Sequence, residues 1–101
     1  MYVVIFRAKA RELDPEYATM AAQLRHRALE QFGCLAFHAV TEGADEIALS
    51  YWPDLDSIRT WKADAEHLVA QRLGRQRWYA AYEVQIAQVL REYRQPSGDR
   101  D

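Results

Sequence analysis

The chain has 101 residues and a mass of 11.8 kDa, the size of one compact domain, which excludes a catalytic domain with a separate regulatory one. Half of the residues are hydrophobic and 28% are charged, a balance that excludes the disordered and membrane classes. Thirteen basic against fifteen acidic residues leave a formal charge of −2, so no field exists to hold a phosphate backbone, and nucleic acid is not an expected partner.

The opening run Tyr2-Val3-Val4-Ile5-Phe6 is too short for a signal sequence and has no basic segment before it, so neither export nor a bilayer span is expected. It is β-branched and aromatic, and it predicts a strand over Tyr2 to Lys9, apolar on both faces for most of its length. Asp14-Pro15 pairs an N-cap residue with proline at the first helical position and predicts a helix start. Its apolar stripe is Tyr17, Met20, Ala21, Leu24, Ala28 and Phe32, and Gly33 supplies the left-handed residue that ends it.

Cys34 to Thr41 and Glu46 to Trp52 predict two strands joined by the short linker Glu42 to Asp45, hence an antiparallel hairpin. Cys34 is the sole cysteine, has no CxxC partner, and is expected as a buried, reduced residue of a cytoplasmic protein. After Trp52, Pro53 stops the strand and Asp54 can cap a helix whose first stripe is Leu55, Ile58 and Trp61. Asp64 offers a second cap, which predicts a break near Lys62 to Ala65, before a helix runs on through Leu68 and Val69 toward Gly74. A last strand is predicted over Tyr82 to Tyr93, where Tyr82, Val84, Ile86 and Leu90 alternate with polar residues. Residues 1–94 form the expected domain and 95–101 a flexible tail.

This order of strand, helix, strand, strand, helix, strand is the split βαβ plan of ferredoxin-like α+β domains. Two crossover helices cover one sheet face, yet the strands carry apolar residues on both. A second sheet about 10 Å away would cover the other face, and a second copy of the chain is the natural supplier, so a homodimer is expected.

Phe6-Arg7, Gly33-Cys34-Leu35-Ala36-Phe37, Ser50-Tyr51-Trp52, Ser57-Ile58-Arg59-Thr60-Trp61-Lys62, Glu66-His67 and Trp78-Tyr79 follow one another in an order that resembles the antibiotic biosynthesis monooxygenase domain family over residues 1–94. The resemblance implies a dimeric α+β barrel in which two sheets pack face to face and each subunit keeps a pocket between its helices and its sheet. The family includes cofactor-independent oxygenases acting on phenolic or quinol substrates, haem-degrading oxygenases, and proteins of no known activity. The haem degraders use an Asn on the first strand, a Trp in the second helix and a His farther along that helix. Here those positions carry Phe6, Trp61 and about Gln71, so two of the three are absent, although His67 lies one helical turn from the third.

His26, His38 and His67 have no zinc-type spacing, so no metal is expected. His26 is expected in solvent on the first helix. His38, in mid-strand, is either a satisfied interior histidine or a pocket-lining one. His67 follows the supposed second cap, where the positive end of a helix dipole would keep it neutral and suited to act as a general base, while an exposed first-turn residue is the plainer reading. Trp52, Trp61, Trp78, Tyr51, Tyr79 and Tyr82 serve core packing or line a pocket for a flat aromatic ligand. Only four glycines occur, none in a phosphate-binding or nucleophile-elbow motif, so no nucleotide or flavin cofactor is expected.

The expected function is therefore oxygenation of a small aromatic or quinol-type compound without a bound cofactor. His67 is the expected base, with His38 in reserve, and Phe6, Trp61, Gln71 and Trp78 are the expected substrate contacts. A non-catalytic dimer that binds a small hydrophobic ligand, or a haem-binding relative, is the alternative.

Overall fold

The computed structural model describes residues 1–10, 15–73 and 79–96, with backbone alone for residues 10, 15–17, 70–73 and 79–80. The elements are β1 (Tyr2–Ala10), α1 (Pro15–Gln31), β2 (Ala36–Glu42), β3 (Asp45–Trp52), α2 (Leu55–Leu73) and β4 (Tyr79–Gln88). They build one antiparallel sheet of order β2-β3-β1-β4, the α+β ferredoxin-like arrangement that the element order predicts.

Local chemistry explains most of the boundaries. Gly33, at φ 79°, turns the chain out of α1, and the Cys34 N–H then donates to the Ala28 carbonyl at 3.0 Å, so β2 starts two residues later than the sequence suggests. Gly43, at φ 61°, makes the hairpin turn with Ala44, and the strands already pair at Glu42 and Asp45. Positive φ is a conformation that only glycine adopts without strain. The Asp54 carboxylate accepts the Ser57 N–H at 2.7 Å, the expected cap of α2, and this bond holds its pKa below the ordinary value. Asp14 and Gly74, the other expected helix signals, lie outside the described residues.

Two expectations need correction. The break near Lys62 to Ala65 does not occur, and α2 runs unbroken from Leu55 to Leu73. Asp64 finds a partner on α1 instead of capping a helix, and Lys62 and Glu66 bond across the supposed break at 3.0 Å. The last strand lies earlier than expected, at Tyr79–Gln88 rather than Tyr82 to Tyr93. Gln88 pairs with Tyr2 and the Val89 N–H donates to the Met1 carbonyl at 2.9 Å. There β1 runs out, and with no neighbouring strand the ladder cannot continue.

The register assigns every side chain to a face, because directly paired residues point the same way and neighbours along a strand alternate. The helix side carries Tyr2, Val4, Phe6 and Ala8 of β1, Glu46, Ala48, Ser50 and Trp52 of β3, Phe37, Ala39 and Thr41 of β2, and Tyr82, Val84 and Ile86 of β4. The core gathers there as Val4, Ala28, Cys34, Trp52 and Ile58, flanked by Tyr2, Leu29, Phe32, Phe37 and Trp61. Trp52 is fully buried, and its indole N–H donates to the buried Ser50 hydroxyl at 2.9 Å, as a polar group inside a core requires. The opposite face carries Val3, Ile5, Leu49 and Tyr51. Among the described residues no helix is long and apolar enough to cross a membrane.

Candidate functional site

Two helices about 10 Å wide are enough to roof four strands about 4.8 Å apart, so any gap in the roof reflects where the helices sit. Here α1 packs on β2 and α2 on β3. Side chains hold them to that half of the sheet. The Trp61 ring lies against Trp52 with centroids 5.2 Å apart and meets Phe37 edge-on at 6.3 Å, and its indole N–H donates to the Leu24 carbonyl of α1 at 3.3 Å. Arg27 of α1 donates to both carboxylate oxygens of Asp64 on α2, at 2.8 and 2.6 Å. That fork, the stronger geometry for a guanidinium and a carboxylate, holds the Asp64 carboxyl below its ordinary pKa and raises that of Arg27.

The unroofed part is the helix side of β4. Tyr82 is 66% exposed, Val84 41% and Ile86 49%, although each occupies a core-facing position. Beside them the Phe6 ring stacks on Tyr82, with centroids 5.9 Å apart and planes 29° from parallel. Together they form an apolar trough with an aromatic shelf. At its β3 side the row across the sheet reads Thr41, Glu46, Ala8, Tyr82, and Ala8 contributes only a methyl group between the two larger side chains. Glu46 is half-buried. Its Oε1 is buried without a hydrogen-bond partner among the described residues, and this loss of solvent raises its pKa above the ordinary carboxyl value.

The expected site residues do not all meet. Phe6 lies on the shelf. Trp61 lies at the edge of the core, with its N–H already engaged. His67 is exposed and sits six residues beyond Trp61, about 120° round α2. Because α2 has no break, His67 is in mid-helix, and the dipole argument that favoured it as a neutral base does not hold. His38 is exposed on the opposite sheet face, edge-on to Tyr51 at 6.5 Å. The structure therefore separates it from Phe6 and Trp61. The side chain of Gln71, Trp78 and the expected tail beyond residue 96 lie outside the described residues. His26 is exposed and lines, with Thr19, Gln23, Arg27 and Gln31, an open groove of about 470 Å³ on α1. Among the described residues no cluster of three or more His, Cys, Asp or Glu side chains could hold a metal ion.

Sequence reasoning missed Glu46. The signal was present: two-residue alternation puts it on the same face as Ser50 and Trp52, so a charged residue stands in a row that is otherwise directed to the core.

No family model matches the sequence. The uncharacterised protein YqjZ of Bacillus subtilis strain 168 is 36% identical over 92 residues, which span 90% of this chain and 81% of that protein. Among solved structures, a mutant of SnoaB, a cofactor-independent oxygenase from Streptomyces nogalater, superposes with a TM-score of 0.69 at 13% identity, covering 90% of this chain and 94% of SnoaB. A MhuD mutant carrying two manganese protoporphyrin IX molecules per active site gives 0.64 at 12% identity over 94% of this chain and all of that one. A structure described as an antibiotic biosynthesis monooxygenase gives 0.55 at 15% identity, over 90% and 100% of the two chains. At these identities the solved structures establish the fold.

Proposed function

We propose that the chain, which shares its fold with solved structures named as antibiotic biosynthesis monooxygenases, oxygenates a small aromatic or quinol-type compound, without a bound cofactor, in the trough over β1 and β4. The observation that carries this reading is the exposed apolar surface of Tyr82, Val84 and Ile86 beside the Phe6–Tyr82 stack. A flat ring gains stacking and burial there.

Oxygen in its triplet ground state reacts slowly with closed-shell molecules, so the substrate must first become an electron-rich anion. Loss of a phenolic proton achieves this. A phenol that takes up O2 then gives a quinone and water: one oxygen atom enters the ring, the other leaves as water, and all four electrons come from the substrate. Neither a nicotinamide nor a flavin is consumed. The protein's part is to gather and orient the ring on Phe6 and Tyr82. Ionisation of the substrate's own hydroxyl supplies the proton loss, and His38 and His67 are assigned no step.

The assembly belongs to the same proposal. Val3, Ile5, Leu49 and Tyr51 on the open sheet face are covered by a second copy, and the reduced Cys34 fits a cytoplasmic homodimer. The test is oxygen uptake with a panel of reduced quinols and polyphenols, with 18O2 tracing. The expected result is uptake above the buffer rate with one labelled atom in the product. A panel that binds to the protein yet is oxidised no faster than in buffer would leave a non-catalytic ligand-binding protein and overturn the oxygenase reading.

A further inference from the structure

We propose that Glu46 is the polar anchor of the trough, accepting a hydrogen bond from the hydroxyl of a neutral phenolic or enolic ring that lies on the Phe6–Tyr82 shelf. The inference rests on reading the trough as the substrate site, and it narrows the substrate to a ring with a free hydroxyl.

Three observations converge. The first is orientation: Glu46 shares the helix side with Phe6 and Tyr82 by strand register, whereas its charged neighbour Asp45 points to the other face and pairs with Lys9 at 3.1 Å. The second is an unmet need. A buried polar atom without a partner is rare in folded proteins, and each such case calls for an explanation such as a ligand or an unseen water. Glu46 Oε1 is such an atom, with no hydrogen-bonding or ionic partner among the described residues, and the groups beside it in register are Thr41 and Ala8. The third is proximity. Glu46 and Tyr82 lie on either side of β1, so their backbones are about 10 Å apart, with the small, buried Ala8 between them.

A ring resting on the shelf would direct an edge substituent across Ala8 toward the carboxyl. That substituent must donate, because an ionised carboxylate only accepts. An anionic substituent would be repelled, so the anchored hydroxyl stays neutral and the proton loss that oxygenation requires falls on a second hydroxyl of the ring. Burial also favours a neutral ligand over a charged one there.

The test uses three probes of one ring system, 1-naphthol, 1-methoxynaphthalene and 1-naphthylmethylamine, titrated calorimetrically against the whole chain under nitrogen. The wild type is expected to bind naphthol about tenfold more tightly than the methoxy compound, the scale of a hydrogen bond to a charged acceptor. Glu46→Leu should bring that ratio close to one, and Glu46→Gln, whose amide oxygen still accepts, should keep part of it. Phe6→Ala should weaken both compounds and leave their ratio unchanged. Equal binding of naphthol and its methyl ether by the wild type, or a preference that survives in Glu46→Leu, overturns the assignment. So does binding of neither compound, and so does an amine that binds more tightly than naphthol, which would make Glu46 a cation site. Oxygen uptake is measured separately: a hydroxyl preference without uptake refutes the oxygenase reading and leaves Glu46 as the anchor, and uptake without a preference does the reverse.

Discussion

Trp61 separates two accounts of the site, because a pocket wall and a core tie respond differently to truncation. Its side chain is half-buried, with one ring face on Trp52, an edge on Phe37 and its N–H on the Leu24 carbonyl. Removing the ring exposes or empties roughly 100 Å² of packed apolar surface, about 2.5 kcal/mol at 25 cal/mol per Å². The lost hydrogen bond adds less than about 1 kcal/mol, since the Leu24 carbonyl also serves its own helix. Trp61→Ala is therefore expected to destabilise the fold by about 3 kcal/mol, near the low end for an aromatic truncation. For a domain of this size that lowers the melting temperature by roughly 12 to 24 °C. Trp61→Phe keeps the stacking and should lose about 1 kcal/mol. Urea unfolding followed by far-ultraviolet circular dichroism, at one fixed protein concentration, reads these values without relying on tryptophan emission. A loss below about 1 kcal/mol in Trp61→Ala, combined with a large fall in ligand affinity, would refute the packing account and make Trp61 a wall of the pocket.

Light scattering should return twice the chain mass of 11.8 kDa, and Leu49→Lys, which puts a charge on the open face, should shift the protein toward monomer; a folded wild-type monomer at micromolar concentration would refute the second-copy cover. His67→Ala should leave quinol-dependent oxygen uptake within about twofold of wild type across pH 6 to 9, whereas a fall of about a hundredfold, the scale of a lost general base, would restore His67 to the mechanism. The carboxyls act on stability with opposite signs. Asp54 and Asp64 have native pKa values below their ordinary 3.8, so their stabilisation is present above that value and lost as acid protonates the native state. Glu46 has a native pKa above its ordinary 4.5, so the native state holds its proton more tightly and stability falls as pH rises from 4.5 through the native value. Thermal melts of Glu46→Gln and wild type should therefore nearly coincide at pH 4 and separate by pH 7 with the variant more stable, and a difference independent of pH would contradict the burial of this carboxyl.

Element order was legible because local chemistry determines it: period-two alternation in the strands, the three-and-four stripe of α1, the left-handed glycines 33 and 43 and the Asp54 cap all act within a few residues. The misplaced features depend on distant partners. Asp64 looks like a cap when only its neighbours are considered, and it becomes an ion-pair partner because Arg27, 37 positions earlier, arrives beside it. The end of β4 is set by the first residues of β1, which no pattern inside β4 contains. His38 illustrates the same limit. Alternation places it opposite Phe37, but only the packing of Trp61 on Phe37 shows which of those faces is roofed. The dipole argument for His67 lost its premise with the break in α2, since it relied on a helix start that does not exist. Glu46 could have been found by alternation alone.

The two apolar areas that the helices leave bare differ in what they can bind. On the open face Val3, Ile5, Leu49 and Tyr51 spread over two central strands, and the end near Lys9 carries the pairs Arg7–Glu83 and Lys9–Asp45, which satisfy one another across the strands. Such a surface has apolar area to bury and its charged pairs are matched among the described residues, so a second sheet with the same pattern can lie on it without desolvating those charges singly. The trough has the opposite character. It borders the helices that pack on β2 and β3, and it contains a carboxyl oxygen that nothing among the described residues satisfies. A second protein surface would have to bring a donor to that one atom, whereas a small ring can bring one as a substituent. In the proposed reading, the polar demand of Glu46, more than the apolar area around it, favours a small molecule over a second protein surface as the occupant of the trough.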